Sequence, residues 1–142
     1  MKFWDSSAIV PLILIEPSSE LLTRVLKRDP IMVVWAFSHI EVYSAVIRRL
    51  NSIKATQSLI QQCERRFEKI YTSWSAIIDY ELVLRRAQRV VSVHGLRSAD
   101  ALQLASALVF FEEKPEKVEF VCLDQLLSRA AAREGFQVLN VK

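Results

Sequence analysis

The sequence is poor in glycine, cysteine and histidine, with two of each in 142 residues. Each shortage removes a class of chemistry. A dinucleotide fingerprint needs three closely spaced glycines and a P-loop needs two. Gly95 and Gly135 lie far apart, so no glycine-rich loop cradles a phosphate. Cys63, Cys122, His39 and His94 are equally dispersed, which excludes a zinc finger or knuckle. Two cysteines make no disulfide framework, and a reducing, cytoplasmic setting is expected. Long apolar runs are also missing. The stretch from Ala8 to Ile15 contains Pro11 and ends at Glu16, whereas a membrane-spanning helix needs about 20 residues. Asp5 stands where a signal peptide would carry its basic start. No membrane association is expected.

What the chain does have is a hydrophobic content of 51%, enough for a core. One domain over residues 1–142 is expected, able to bury roughly two-thirds of its unfolded surface. No linker, repeat or low-complexity stretch interrupts it. Lys and Arg number 19 against 16 Asp and Glu, a net charge of +3 that hints at an anionic partner. Carboxylates and guanidiniums are the reactive groups in quantity, so catalysis here falls to carboxylates.

Strand-length and helix-period segments alternate. Lys2-Phe3-Trp4 reads as a first strand, and Asp5-Ser6-Ser7 as the cap of a helix beginning near Ala8. Ser18 to Arg28 reads as a helix broken by Asp29-Pro30, and Ile31 to Val34 as a buried strand. Ser38-His39-Ile40-Glu41 has the capping-box pattern and opens a helix to about Leu50. Thr56 to Ile70 is a further helix, Trp74 to Ile78 a short strand, and Glu81 to His94 a helix with Val83, Ala87, Val90 and Val91 inward, closed by Gly95. From Ser98 to about Phe111 a helix is apolar nearly all round, with only Gln103 and Ser106 polar after Ala101, so it is read as buried. Val118 to Cys122 is a strand. Asp124 opens a last helix with Leu126, Leu127, Ala130 and Ala131 inward, Gly135 closes it, and Phe136 to Val141 is the final strand. This alternation predicts an α/β fold with a central, mostly parallel sheet and helices on both faces.

In such sheets, function collects at the carboxyl ends of the strands. Asp5 and Asp124 directly follow predicted strands, and Glu41 and Asp100 lie in the first turns of helices. Each alone also suits a helix N-terminus. Together they would repel one another and raise each other's pKa unless a cation neutralises them. A hard ion, Mg²⁺ or Mn²⁺, is the natural match for oxygen ligands, and metal-assisted hydrolysis of a phosphodiester is the chemistry it suggests.

Asp5-Ser6-Ser7-Ala8 after a first strand, Glu41, the segment Leu96-Arg97-Ser98-Ala99-Asp100-Ala101-Leu102-Gln103-Leu104-Ala105, and Cys122-Leu123-Asp124 together resemble the PIN-domain family. More narrowly, they resemble the VapC-type toxins of toxin–antitoxin pairs. The resemblance implies a three-layer α/β/α domain and a Mg²⁺- or Mn²⁺-dependent endoribonuclease whose acidic quartet maps onto Asp5, Glu41, Asp100 and Asp124. It implies cleavage of structured RNA, transfer or ribosomal, at exposed single-stranded positions. It also implies a homodimer and a small antitoxin protein that blocks the site. The family usually has Ser or Thr where this chain has Cys122, a weaker donor, which bears on how Asp124 or its metal water is placed. Ser6 and Arg97 are further candidates for substrate contact.

His39 and His94 are not read as catalytic, and Trp4, Trp35 and Trp74 are read as core or dimer-interface residues. The Arg65-Arg66 pair and Arg85, Arg86 and Arg89 are read as solvated helix faces. With the four acids set aside, 12 acids remain against 19 bases and the rest of the molecule carries +7. Two other functions stay open: a PIN-type nuclease of RNA processing with no antitoxin, and a catalytically silent PIN-fold binding module.

Overall fold

The computed structural model describes residues 1–139. Strand β1 (Lys2–Trp4) leads into the short helix α1 (Ser6–Ile9) and a 3₁₀ turn at Val10–Leu12. Helix α2 (Ser19–Arg28) precedes β2 (Met32–Trp35), and α3 (Ser38–Ser52) and α4 (Gln57–Tyr71) precede β3 (Ser75–Ile77). Helices α5 (Tyr80–His94) and α6 (Ser98–Phe110) then run to β4 (Glu119–Val121), and α7 (Gln125–Arg133) to β5 (Gln137–Val138). The expected elements are present, most with ends one to three residues from those read in the sequence, as fraying helix ends allow. Of the final strand expected over Phe136 to Val141, residues 140 and 141 lie outside the described residues.

The five strands form one sheet in the order β3-β2-β1-β4-β5, and every pairing is parallel. Alternation along each strand divides two cores. Phe3, Val33, Trp35 and Phe120 face α5, α6 and α7. Trp4, Met32, Val34 and Val121 face α1 to α4. Helices thus cover both sides, which is why the strands themselves are almost uninterruptedly apolar. Phe3 and Phe120, register partners on neighbouring strands, stack with ring centroids 4.8 Å apart. Among the described residues no helix is long and apolar enough to cross a membrane.

The strand order places the site. The chain winds outward from β1 through β2 to β3, then crosses back to β4 on the other side of β1. The crevice between β1 and β4, at their carboxyl ends, is the topological switch point where open α/β sheets bind ligands. Gly95 makes the crossing possible. Its φ of 66° ends α5 in a left-handed turn, a conformation that disfavours any residue with a Cβ. The chain reverses there and α6 begins over the carboxyl edge.

Two inward faces differ from the sequence reading. Val91 and Leu126 are exposed, while Val83, Ala87 and Val90 on α5 and Leu127, Ala130 and Ala131 on α7 are buried. Each helix buries one stripe, and Val91 and Leu126 fall at its margin.

Candidate active site

Asp5 is 3% exposed at the end of β1 and caps α1, its carboxylate accepting from the Ser7 N–H at 3.0 Å and from the Ser7 hydroxyl. Burial raises its pKa and the Ser7 bonds oppose the rise. Asp124 follows β4 and caps α7, with Oδ1 accepting from the Leu127 N–H at 2.8 Å. These two acids flank the switch point between β1 and β4.

Glu41 and Asp100 arrive from the helices that follow β2 and α5. The capping-box expectation at Ser38 does not hold. Phe37 takes the cap position with no side-chain bond, and Ser38 is the first residue of α3, buried. Its hydroxyl instead accepts from Gln103 Nε2 at 2.9 Å, and the same nitrogen donates to Glu41 Oε1 at 3.0 Å. Glu41 is thereby free of its own backbone and held toward α6. The reason lies in Gln103, a 1% exposed amide on an otherwise apolar helix, which needs polar partners when buried. Ser98 likewise does not cap α6, because Arg97 occupies that position without a side-chain bond. Asp100 and Gln103 are three residues apart on α6 and so share a helix face.

Asp5, Ser6, Glu41, Asp100 and Asp124 line one hollow of about 370 Å³, with Ser7, Ser44 and Arg48 among its other walls. The acids act on each other. Burial, then the charges of Asp5 and Asp100, push Glu41 up to about 7, against the Gln103 and Ser6 hydrogen bonds. Burial, then Asp124 and Asp5, raise Asp100, with Arg97 opposing. Among the described residues none of the four acids forms an ion pair with Lys, Arg or His. Raised carboxylates around one void, without a basic partner, suit a hard divalent cation. No group of three His, Cys, Asp or Glu among the described residues forms a ready-made ligand cage.

Cys122 bears on a different acid than expected. Its thiol lies 3.6 Å from Asp5 Oδ2 and 3.4 Å from the Asp124 backbone oxygen, so it supports Asp5 and the turn rather than the Asp124 carboxylate. Burial, then the Asp5 charge, push the thiol up to about 12, which keeps it a protonated donor. Neither histidine reaches the acids. His94 bonds Glu134 at 2.7 Å, and His39 packs on Phe67 and Tyr71.

A second hollow of about 470 Å³ adjoins the first and shares Asp100 and Asp124 with it; Arg97, Arg129 and Arg133 line it. Arg97 lines this second hollow and not the one that holds Asp5 and Glu41. Gln103, which bonds Glu41, and Arg48, Arg129 and Arg133, which line the hollows, are neighbours of the acids that the sequence reading did not single out for the site. Arg48 was discoverable, since Glu41, Ser44 and Arg48 recur at helical spacing on α3.

An all-parallel sheet in the order β3-β2-β1-β4-β5, covered on both faces and gathering four carboxylates at its switch point, is the arrangement of a PIN-type domain. Ribonuclease VapC45 of Mycobacterium tuberculosis (strain CDC 1551 / Oshkosh) is 30% identical to this chain over 111 residues, covering 76% of this chain and 75% of the relative. Ribonuclease VapC49 of Mycobacterium tuberculosis (strain ATCC 25618 / H37Rv) matches with the same identity and coverage. No family model matches the sequence. On those two relatives, the chain belongs to the VapC-type toxins of the PIN-domain family.

Proposed function

We propose that this chain is the toxin of a toxin–antitoxin pair and cuts structured RNA, transfer or ribosomal, by Mg²⁺- or Mn²⁺-assisted phosphodiester hydrolysis. It acts as a single nuclease domain, in the cytoplasm, as a homodimer that a small antitoxin protein silences. The observation that carries the reading is the convergence of Asp5, Glu41, Asp100 and Asp124 on one hollow, with no cationic side chain among the described residues paired to them. Both relatives bear the name ribonuclease, which supports it.

In this mechanism Asp5, Asp100 and Asp124 would hold the cation, with Glu41 completing the set. When bound, Mg²⁺ or Mn²⁺ supplies positive charge to the attacked phosphate and lowers the pKa of water. Glu41, pushed up to about 7 by burial and then by the Asp5 and Asp100 charges, lies near neutral pH, where a general acid or base works best. Its Oε1 is held by Gln103, so Oε2 is the oxygen that takes or gives a proton. Ser6 and Arg97 lie where the phosphate approaches and bind its oxygens.

The test uses protein freed of any co-purified partner, mixed with labelled transfer and ribosomal RNA. Cleavage is expected with Mg²⁺ or Mn²⁺, with loss on chelation and recovery when the ion returns. No cleavage with either ion refutes the reading. Mapping RNA 5′ ends after brief expression then identifies the target.

A further inference from the structure

Of the 12 arginines, seven divide into one group engaged by partners and one that lines the acidic site; Arg24 pairs with Glu20, and Arg28, Arg49, Arg65 and Arg89 pair with no carboxylate among the described residues but line neither hollow. Arg85 pairs with Glu81, Arg86 with Glu113 and Glu134, and Arg66 donates to the Ile13 carbonyl. Those guanidiniums already have partners within the protein. Arg48, Arg97, Arg129 and Arg133 are exposed and, among the described residues, pair with no carboxylate. All four line the two hollows that meet at Asp100 and Asp124.

The acids therefore lie between two basic flanks. Arg48 stands on the α3 side, in the hollow of Asp5 and Glu41. Arg97, Arg129 and Arg133 stand on the α7 side. Arg129 and Arg133 are four residues apart on α7, on one helix face and about 6 Å apart along the axis. Leu126, 65% exposed, lines the same hollow and offers an apolar surface beside the two charges. Alternating charge and apolar contact suits the phosphates and bases of a nucleic-acid strand.

We infer that the RNA strand crosses the carboxylates from one hollow to the other, its backbone gripped by Arg48 on one side of the cut and by Arg97, Arg129 and Arg133 on the other. The inference rests on the ribonuclease reading and adds the substrate's path. A strand held on both sides is cut internally, and the minimal substrate carries a phosphate on each side of the scissile bond. Arg48, Arg129 and Arg133 bind and position; they touch no reacting atom.

The test measures binding of a single-stranded oligoribonucleotide to the full chain carrying Asp5→Asn, with Mg²⁺ present, across a salt series. Adding the pair Arg129→Ala and Arg133→Ala raises Kd about tenfold and lowers the slope of log Kd on log salt by about 1.4, two single-strand phosphate contacts. Arg48→Ala lowers it by about 0.7. Arg129→Lys and Arg133→Lys recover most of the slope. Arg85→Ala, at a paired arginine, changes neither quantity. In cleavage-competent protein, the alanine pair raises KM more than it lowers kcat. Unchanged Kd and slope in correctly folded variants overturn the inference. So does a loss confined to an acidic polypeptide such as polyglutamate, which makes the hollow a protein-docking site. Failure of the ribonuclease reading shows separately, as wild-type protein that cuts no RNA while the alanine pair still weakens binding.

Discussion

The two edges of the sheet hold the same residue type in opposite circumstances. At the amino edge, Asp29 accepts from the chain's terminal amine, from Lys2 Nζ at 3.1 Å and from the Ile31 N–H, and Lys2 also bonds Glu119 at 2.8 Å. The terminal amine first, and then Lys2, draw Asp29 down to about 2. At the carboxyl edge, Asp5, Glu41 and Asp100 are all shifted upward, and among the described residues no basic side chain forms an ion pair with them. Paired acids tie β1 to its neighbours. Unpaired acids of the same chemistry store repulsion that a bound cation relieves.

The largest expected effect comes from removing one charge at the carboxyl edge. Asp5→Asn or Asp100→Asn lowers cleavage by about 10²-fold or more, while thermal melting of the metal-free protein shows no loss of stability. The asparagine still caps α1 at position 5, and one source of repulsion is gone. A variant that melts early, or that cleaves at the wild-type rate, makes that acid a cap like any other.

Gln103 is the next test, because it touches the acids without being one. Gln103→Leu removes the donor that holds Ser38 and Glu41. Outer groups of this kind are typically worth 10- to 100-fold in metal affinity or activity, so Mn²⁺ affinity and cleavage should fall together. Gln103→Glu adds a fifth acid and should raise the pH at which cleavage appears.

The two edges also titrate with opposite sign. Glu41 rises from an ordinary 4.5 to about 7 on folding. Its protonated form is favoured in the folded state, so metal-free protein gains stability as pH falls from about 7 toward 4.5 and loses it as pH rises through that window. The size is on the order of 1 kcal/mol, because solvent reaches this carboxyl and screens it. Asp29 works the other way: its contribution is present above 3.8 and is lost as pH falls through about 2. Denaturant melts across pH should show both slopes, with Glu41→Gln reducing only the upper one, to which the raised Asp5 and Asp100 also contribute. The same upper slope in Glu41→Gln protein would assign it elsewhere.

The smallest effect is at Cys122. Replacing the thiol by a hydroxyl, Cys122→Ser, keeps a donor to Asp5, and cleavage should change by less than about threefold. A large gain would mean that the thiol holds Asp5 poorly.

Much of this was legible in one dimension. Periodicity located the strands and helices, since apolar spacing reports which face of each element is buried. Four acids at strand ends and helix starts pointed to one edge, because parallel strands connected by helices bring their carboxyl ends together. Less legible was what the helices do to one another. The capping box at Ser38 is a sound local pattern, yet Gln103, far along the chain, took both of its partners. Val91 and Leu126 sit at the margins of apolar stripes, where a shift of a few tens of degrees decides exposure.

The sequence by itself determined the α/β class and the placement of four carboxylates at strand ends and helix starts, because these depend on residue type and local spacing. Only the tertiary structure decided that Gln103 positions Glu41, that Cys122 serves Asp5, and that Arg48, Arg129 and Arg133 flank the acids while Arg85 and Arg86 are tied down. Those outcomes depend on which helix faces meet and which charges find partners, and such pairings exist only once the chain has closed on itself.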